Sequence, residues 1–196
     1  MTRYVALLRG INVGGKNPIR MADLKGCFEQ NGFEGVATFI QSGNVVFDAR
    51  GGGQSALTER IEAMLAATFD YEPSVVVRSQ RQMRDIVERA PEGFGADPAA
   101  YRYDVVFLKP PLTARQAMRS VHTRDGVDRA WAGSGVVYFS RLTSRAAQSY
   151  LSRVVSMPIY QSMTIRNWNT TTTLLRMLDG SPRARSTERE DAAPIP

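Results

Sequence analysis

An α+β fold made of two β-α-β-β-α-β units with antiparallel sheets, followed by a C-terminal helix, is predicted by three observations on the 196-residue chain. Element types alternate in one order over residues 3–79 and in the same order again over about 103–166. The second and third strands of the first pass are joined through the four-residue turn QSGN, a connection that antiparallel strands can use and parallel strands cannot. The hairpin entries also resemble each other, SGNVVF at 42–47 against SGVVYF at 134–139.

Residues 3–9 read as a buried strand, and MADLKGCFEQN at 21–31 as an amphipathic helix. Strands at 35–40 and 44–48 are joined through QSGN, a helix spans 54–69 and a strand spans 74–79. The next segment, SQRQMRDIVERAP, puts Met83, Ile86 and Val87 on one helical face before the Pro/Gly-rich loop PEGFGADPAAY. The second pass comprises a strand at 103–108, a helix at 113–121, strands near 127–132 and 135–140, a helix at 144–155 and a short strand at 162–166. A last helix is expected from about Thr170 to Asp179, with Asn169 or Thr170 as its N-cap and Leu174, Leu175 and Leu178 as its apolar face. This order is that of two ferredoxin-like units in tandem. The expected partition is 1–79 for the first unit, 80–102 for a connecting helix and loop, 103–179 for the second unit with its final helix, and 180–196 for a tail. The tail, GSPRARSTEREDAAPIP, has almost no apolar content and is expected to be disordered.

Composition excludes several classes. A hydrophobic fraction of 43% and a charged fraction of 22% are those of a globular protein. The apolar start YVALL is too short for a signal sequence or a membrane span, so a cytoplasmic protein without membrane association is expected. The one cysteine, Cys27, allows no internal disulfide and falls on an amphipathic helix as a small core residue. The net charge of +6 raises nucleic acid as a partner, but the arginines are scattered and form no basic tract.

LLRGINVGGKNPIRMADL at 7–24 places Gly10, Gly15 and Lys16 at the spacing of a phosphate-binding P-loop. That reading fails on its surroundings. A P-loop passes directly into a helix carrying Ser or Thr and belongs to a parallel sheet, whereas Lys16 is followed by Asn17 and Pro18 and the next strands form a hairpin. The segment still suggests a site. In a ferredoxin-like sheet the first and third strands are antiparallel neighbours, so Arg9–Asn17 and Gln41–Asn44 meet at one rim. There Gly14 and Gly15 suit an anion nest, Arg9 and Lys16 supply charge, and Asn12, Asn17, Gln41, Ser42, Gly43 and Asn44 supply orientable amides, a hydroxyl and a turn. The same residues serve equally well as turn formers and backbone caps. A third polar cluster, MTIRNWNTTTTLL at 163–175, brings Arg166, Asn167, Trp168 and Asn169 to the start of the final helix, where free N–H groups suit an anion or a stacked ring. A cap with a packed indole is the plainer role for it.

LLRGINVGGKNPIRMADL, TFIQSGNVVFD and RNWNTTTTLL, in this order and spacing, closely resemble the bacterial DUF1697 family of proteins of unknown function. The resemblance covers nearly all of residues 3–179. It implies two ferredoxin-like halves and no established activity, and it supplies no catalytic residue. One departure is SRLTSRAAQ at 140–148, where family members often carry a turn with glycine, serine and lysine.

Metal and nucleophile chemistry have little to build on. His122 is the only histidine, and no Cys pair or Ser-His-Asp set can be assembled, so neither a metal nor a cofactor is expected. RNA binding of the RRM type would need aromatic rings where SGNVVF offers Ser42 and Asn44. The expected function is binding of a small anionic, phosphate-bearing ligand at the first-unit rim, with turnover and oligomeric state left open. A basic nucleic-acid-binding module and a protein–protein adaptor are the alternatives.

Overall fold

The computed structural model describes residues 1–12, 18–41 and 43–180. The tail predicted to be disordered therefore lies outside the described residues beyond Gly180. The architecture is α+β, with two four-stranded antiparallel sheets and helices around them.

The first sheet has strand order β2-β3-β1-β4, from β1 (Thr2–Arg9), β2 (Glu34–Phe39), β3 (Asn44–Ala49) and β4 (Ser74–Ser79). Helices α1 (Met21–Gln30) and α2 (Gln54–Thr68) pack on its outer face, where Leu24, Phe28, Ile61 and Leu65 meet Ala6, Leu8, Val45 and Phe47. β1 is central and covered on both faces, which is why Val5, Ala6, Leu7 and Leu8 form an unbroken apolar run. The second sheet has order β6-β7-β5-β8, from β5 (Tyr101–Leu108), β6 (Asp128–Ala132), β7 (Val136–Leu142) and β8 (Met163–Asn167). Its outer face is covered by α4 (Ala114–Ser120) and α5 (Leu151–Val155).

Two further helices pack between the sheets. α3 (Gln80–Glu88) follows β4, and α6 (Trp168–Leu178) follows β8. Met83, Ile86, Leu174, Met177 and Leu178 from these helices share one core with Val5, Leu7 and Val46 of the first sheet and Val105, Phe107 and Tyr138 of the second. The Tyr138 hydroxyl donates to Ile86 O at 2.6 Å, satisfying a carbonyl in the last turn of α3.

Two elements differ from expectation. The single helix expected over 144–155 is a 3-10 segment, Thr143–Gln148, followed by the separate α5. Ser149 breaks it in an extended conformation (ψ 143°), its hydroxyl accepting from Leu151 N, while the buried Asp128 carboxylate accepts from Tyr150 N at 2.9 Å. The last helix starts at Trp168, earlier than expected. Its cap is Asn167, whose Oδ1 accepts from Thr170 N at 2.7 Å, two or three residues before the expected Asn169 or Thr170.

Candidate functional site

The end of β1 and the start of β3 meet at one rim of the first sheet, with Leu7 opposite Asn44 and Leu8 N donating to Gly43 O at 2.8 Å. Gly43 has φ +71°, and a Cβ there would stand 2.8 Å from both Leu8 Cβ and Ile11 Cδ1, so no side chain fits. Asn12 ties the glycine-rich segment to this rim. Its side chain accepts from Ile19 N at 2.8 Å and donates to Ile19 O at 2.8 Å, bringing residues 12 and 19 together, and also donates to Gln41 O at 2.9 Å on the hairpin. Gly14, Gly15, Lys16, Asn17 and Ser42 lie outside the described residues.

Among the described residues the two non-glycine positions in the left-handed region are Asn12 (φ 54°) and Ile40 (φ 47°), and both are at this rim. For a β-branched residue this backbone is strained. Ile40 is also exposed, as is Gln41. Arg9, half-buried at the end of β1, has a buried Nε without a hydrogen-bond partner, and its guanidinium lies 5.6 Å from the Tyr160 ring centroid.

Arg166 reaches this rim from the other sheet. It is 9% exposed; Nε donates to Asn44 Oδ1 at 2.5 Å, Nη2 to Leu8 O at 2.7 Å and to Gly43 O at 3.3 Å, and Nη1 to Thr164 Oγ1 and Ile165 O. Asn44 is fully buried, and its Nδ2 donates to Phe39 O at 3.0 Å. Arg166 and Asn44 thus hold each other inside the protein. Arg78 of β4 makes the reverse connection: Nη2 donates to Leu108 O at 2.6 Å and Gly135 O at 2.9 Å, at the end of β5 and the start of β7. Burial pushes both guanidiniums down to about 10, from an ordinary value of 12.5. Both remain cations at neutral pH.

The family model described as "Protein of unknown function (DUF1697)" matches residues 1–138. The chain belongs to the DUF1697 family. The matched region contains both rim segments and Arg78 with its acceptors Leu108 and Gly135, and stops short of Arg166. Among solved structures the chain is similar to the conserved bacterial protein SP0830 from Streptococcus pneumoniae, with a TM-score of 0.78 and 28% identity over 90% of this chain and 98% of that one. No curated protein matches.

In this DUF1697 chain the RNWN segment is divided between two places. Arg166 joins the first-sheet rim, while Asn167, Trp168 and Asn169 line a separate cavity of about 460 Å³ beside Tyr101, Tyr103, Asp104 and Arg141. Sequence reasoning passed over those last four residues, although a lone carboxylate in the apolar strand YRYDVVFL is itself a signal. No helix among the described residues is long and apolar enough to cross a membrane, and no cluster of three or more His, Cys, Asp or Glu there is placed to hold a metal.

Proposed function

We propose that the chain is a tandem of two ferredoxin-like units and that the rim of the first binds a small anionic, phosphate-bearing ligand. The tandem reading is supported by the shared strand order and by the correspondence of Arg78 opposite Val5 with Arg166 opposite Val105. The ligand reading is carried by one observation: among the described residues, the two non-glycine residues in the left-handed region, Asn12 and Ile40, are both at the rim where Asn12 joins Ile19 to Gln41. Strained backbone of this kind gathers at ligand clamps. The charge beside it is positive, from Arg9 and, beneath, Arg166, and Gly14, Gly15 and Lys16 add the residue types of an anion nest with a mobile cation.

Calorimetric titration with inorganic phosphate, pyrophosphate and a panel of sugar phosphates tests this. At least one should bind saturably, and Lys16→Ala should weaken it about ten-fold or more, the loss of one charge-assisted contact. Absence of binding across the panel, or binding indifferent to both Lys16→Ala and Arg9→Ala, refutes the rim site.

A second reading, binding of a nucleic-acid backbone, is favoured by the distribution of charge. Residues 103–179 hold ten basic and four acidic residues, so this half carries the whole net charge of +6. Arg115, Arg119, Arg129, Arg145 and Arg153 are exposed, and the Tyr150 ring has Arg153 3.6 Å and Arg124 6.0 Å from its centroid. Steeply salt-dependent binding of short RNA or DNA, weakened by Arg153→Ala, is the expected outcome of this reading. Retention of oligonucleotides unaffected by salt or by that substitution counts against it.

A further inference from the structure

The cavity beside α6 is lined by a buried carboxylate whose hydrogen-bonding capacity one arginine does not exhaust. Asp104 is 7% exposed on the central strand β5, opposite Phe139 and Asn167. Its one charged neighbour in ion-pair contact among the described residues is Arg141. Arg141 Nη2 stands 3.0 Å from Asp104 Oδ2, and the buried Arg141 Nε lacks a hydrogen-bond partner among those residues. Burial raises the Asp104 pKa, opposed by the charges of Arg141 and Arg102 and by hydrogen bonding from Arg141. An ionised carboxylate offers about four acceptor positions, more than Arg141 alone can fill, and positions left unfilled in a buried site are costly.

The surroundings have the form of a small-molecule site. A volume of about 460 Å³ is within the usual range for ligand cavities. Its walls include Trp168, Tyr101 and Tyr103. Trp168 is held edge-on to Phe94, with ring centroids 5.1 Å apart at 90°, and is half-exposed on its remaining surface. The approach depends on Gly95, where any Cβ would overlap Trp168 Nε1 and Cδ1. The indole is thus fixed before any ligand arrives. Asn169 adds an exposed amide at the helix start.

We infer that this cavity binds a neutral planar nitrogen heterocycle with two adjacent N–H donors beside a carbonyl, the edge that guanine presents, stacked on Trp168 with its donors on Asp104 and its carbonyl toward Arg141. The charges select this chemistry. One carboxylate faces two guanidiniums, Arg102 and Arg141, so a cationic ring gains little, whereas an edge offering donors to Asp104 and an acceptor to Arg141 complements both members of the ion pair.

The chain has two tryptophans, so Trp131→Phe leaves Trp168 as the only indole reporter. In that background guanosine should change the emission saturably. Inosine, which lacks the 2-amino group, and 1-methylguanosine, which lacks the N1 proton, should each bind about ten-fold more weakly or worse. Asp104→Asn should weaken guanosine to a similar degree. If that variant fails to fold, the two analogues on the parent protein still decide the matter. Guanosine that leaves Trp168 emission unchanged up to its solubility, or that binds no better than both analogues, overturns the inference, as does undiminished binding by a folded Asp104→Asn protein.

Discussion

Arg166 Nε on the last strand of the second sheet donates to Asn44 Oδ1 on the first at 2.5 Å, across 122 residues of chain. The same guanidinium holds the carbonyls of Leu8 and Gly43, where β1 ends and β3 begins. Two effects compete. Taking a guanidinium out of water costs several kcal/mol, and its charge-assisted hydrogen bonds return about 1.5–3 kcal/mol each. With acceptors from Asn44, Leu8, Gly43, Thr164 and Ile165, the bonds win. Arg166→Ala is therefore expected to lower unfolding free energy by about 3 kcal/mol or more in urea denaturation. Arg166→Lys should recover little, because one ammonium cannot match the fork that reaches these acceptors. Full rescue by lysine would show that charge alone matters. Asn44→Ala is expected to destabilise through the same contact, so it cannot separate a ligand role from a structural one.

The order of the elements was legible because it is written in local patterns: apolar runs for central strands, helical spacing in α3, and a four-residue connection that forces a hairpin. The meeting of the β1 and β3 ends followed from that order. The arginine exchange was not legible. Arg78 appears only as the charged end of VVVRS, and its acceptors are the backbone carbonyls of Leu108 and Gly135, which carry no side-chain signal in the sequence. Arg166 stood out for its polar neighbours, yet its partners are in the other sheet. The cavity was half-seen for a similar reason. Trp168 and its flanking asparagines are contiguous, whereas Asp104 and Arg141 are brought beside them only by strand pairing.

The break between the 3-10 segment and α5 depends on Asp128, which is buried and accepts from both Arg124 N at 3.0 Å and Tyr150 N at 2.9 Å. Asp128→Ala removes the one oxygen, Oδ2, that accepts from both and leaves two N–H groups to find water. A loss of about 2–3 kcal/mol is expected. Amide exchange should accelerate most at Tyr150 and through Leu151–Val155, and acceleration spread evenly over the chain would contradict this local role.

Alkaline pH should weaken the contact between α3 and the second sheet. Burial raises the Tyr138 phenol to about 12 from an ordinary 10.0. An acid whose folded-state value is raised contributes stability that is complete below its unfolded value and is lost as pH rises through the folded one. The window is therefore about pH 10 to 12. Tyr138→Phe loses the hydrogen bond to Ile86 O and should be about 1–2 kcal/mol less stable at neutral pH. Melting temperatures of the two proteins should converge as pH rises across that window. A constant gap would place the phenol's titration elsewhere.

Asn12 performs two tasks at the rim, and two substitutions divide them. Its backbone is left-handed, with φ 54°, and its side chain holds Ile19 while reaching Gln41 O. Glycine keeps the backbone conformation and deletes the side chain, whereas alanine deletes the side chain and adds strain. Asn12→Gly should cost about 1–2 kcal/mol, from loss of these hydrogen bonds at a partly exposed site, and Asn12→Ala about 1 kcal/mol more. If the rim forms the anion site, phosphate-ligand affinity should fall in both variants by a similar factor, because both release Ile19 and Gln41. Affinity that instead tracks backbone strain, falling in Ala and sparing Gly, would show that the left-handed backbone, and not the amide clamp, shapes the rim.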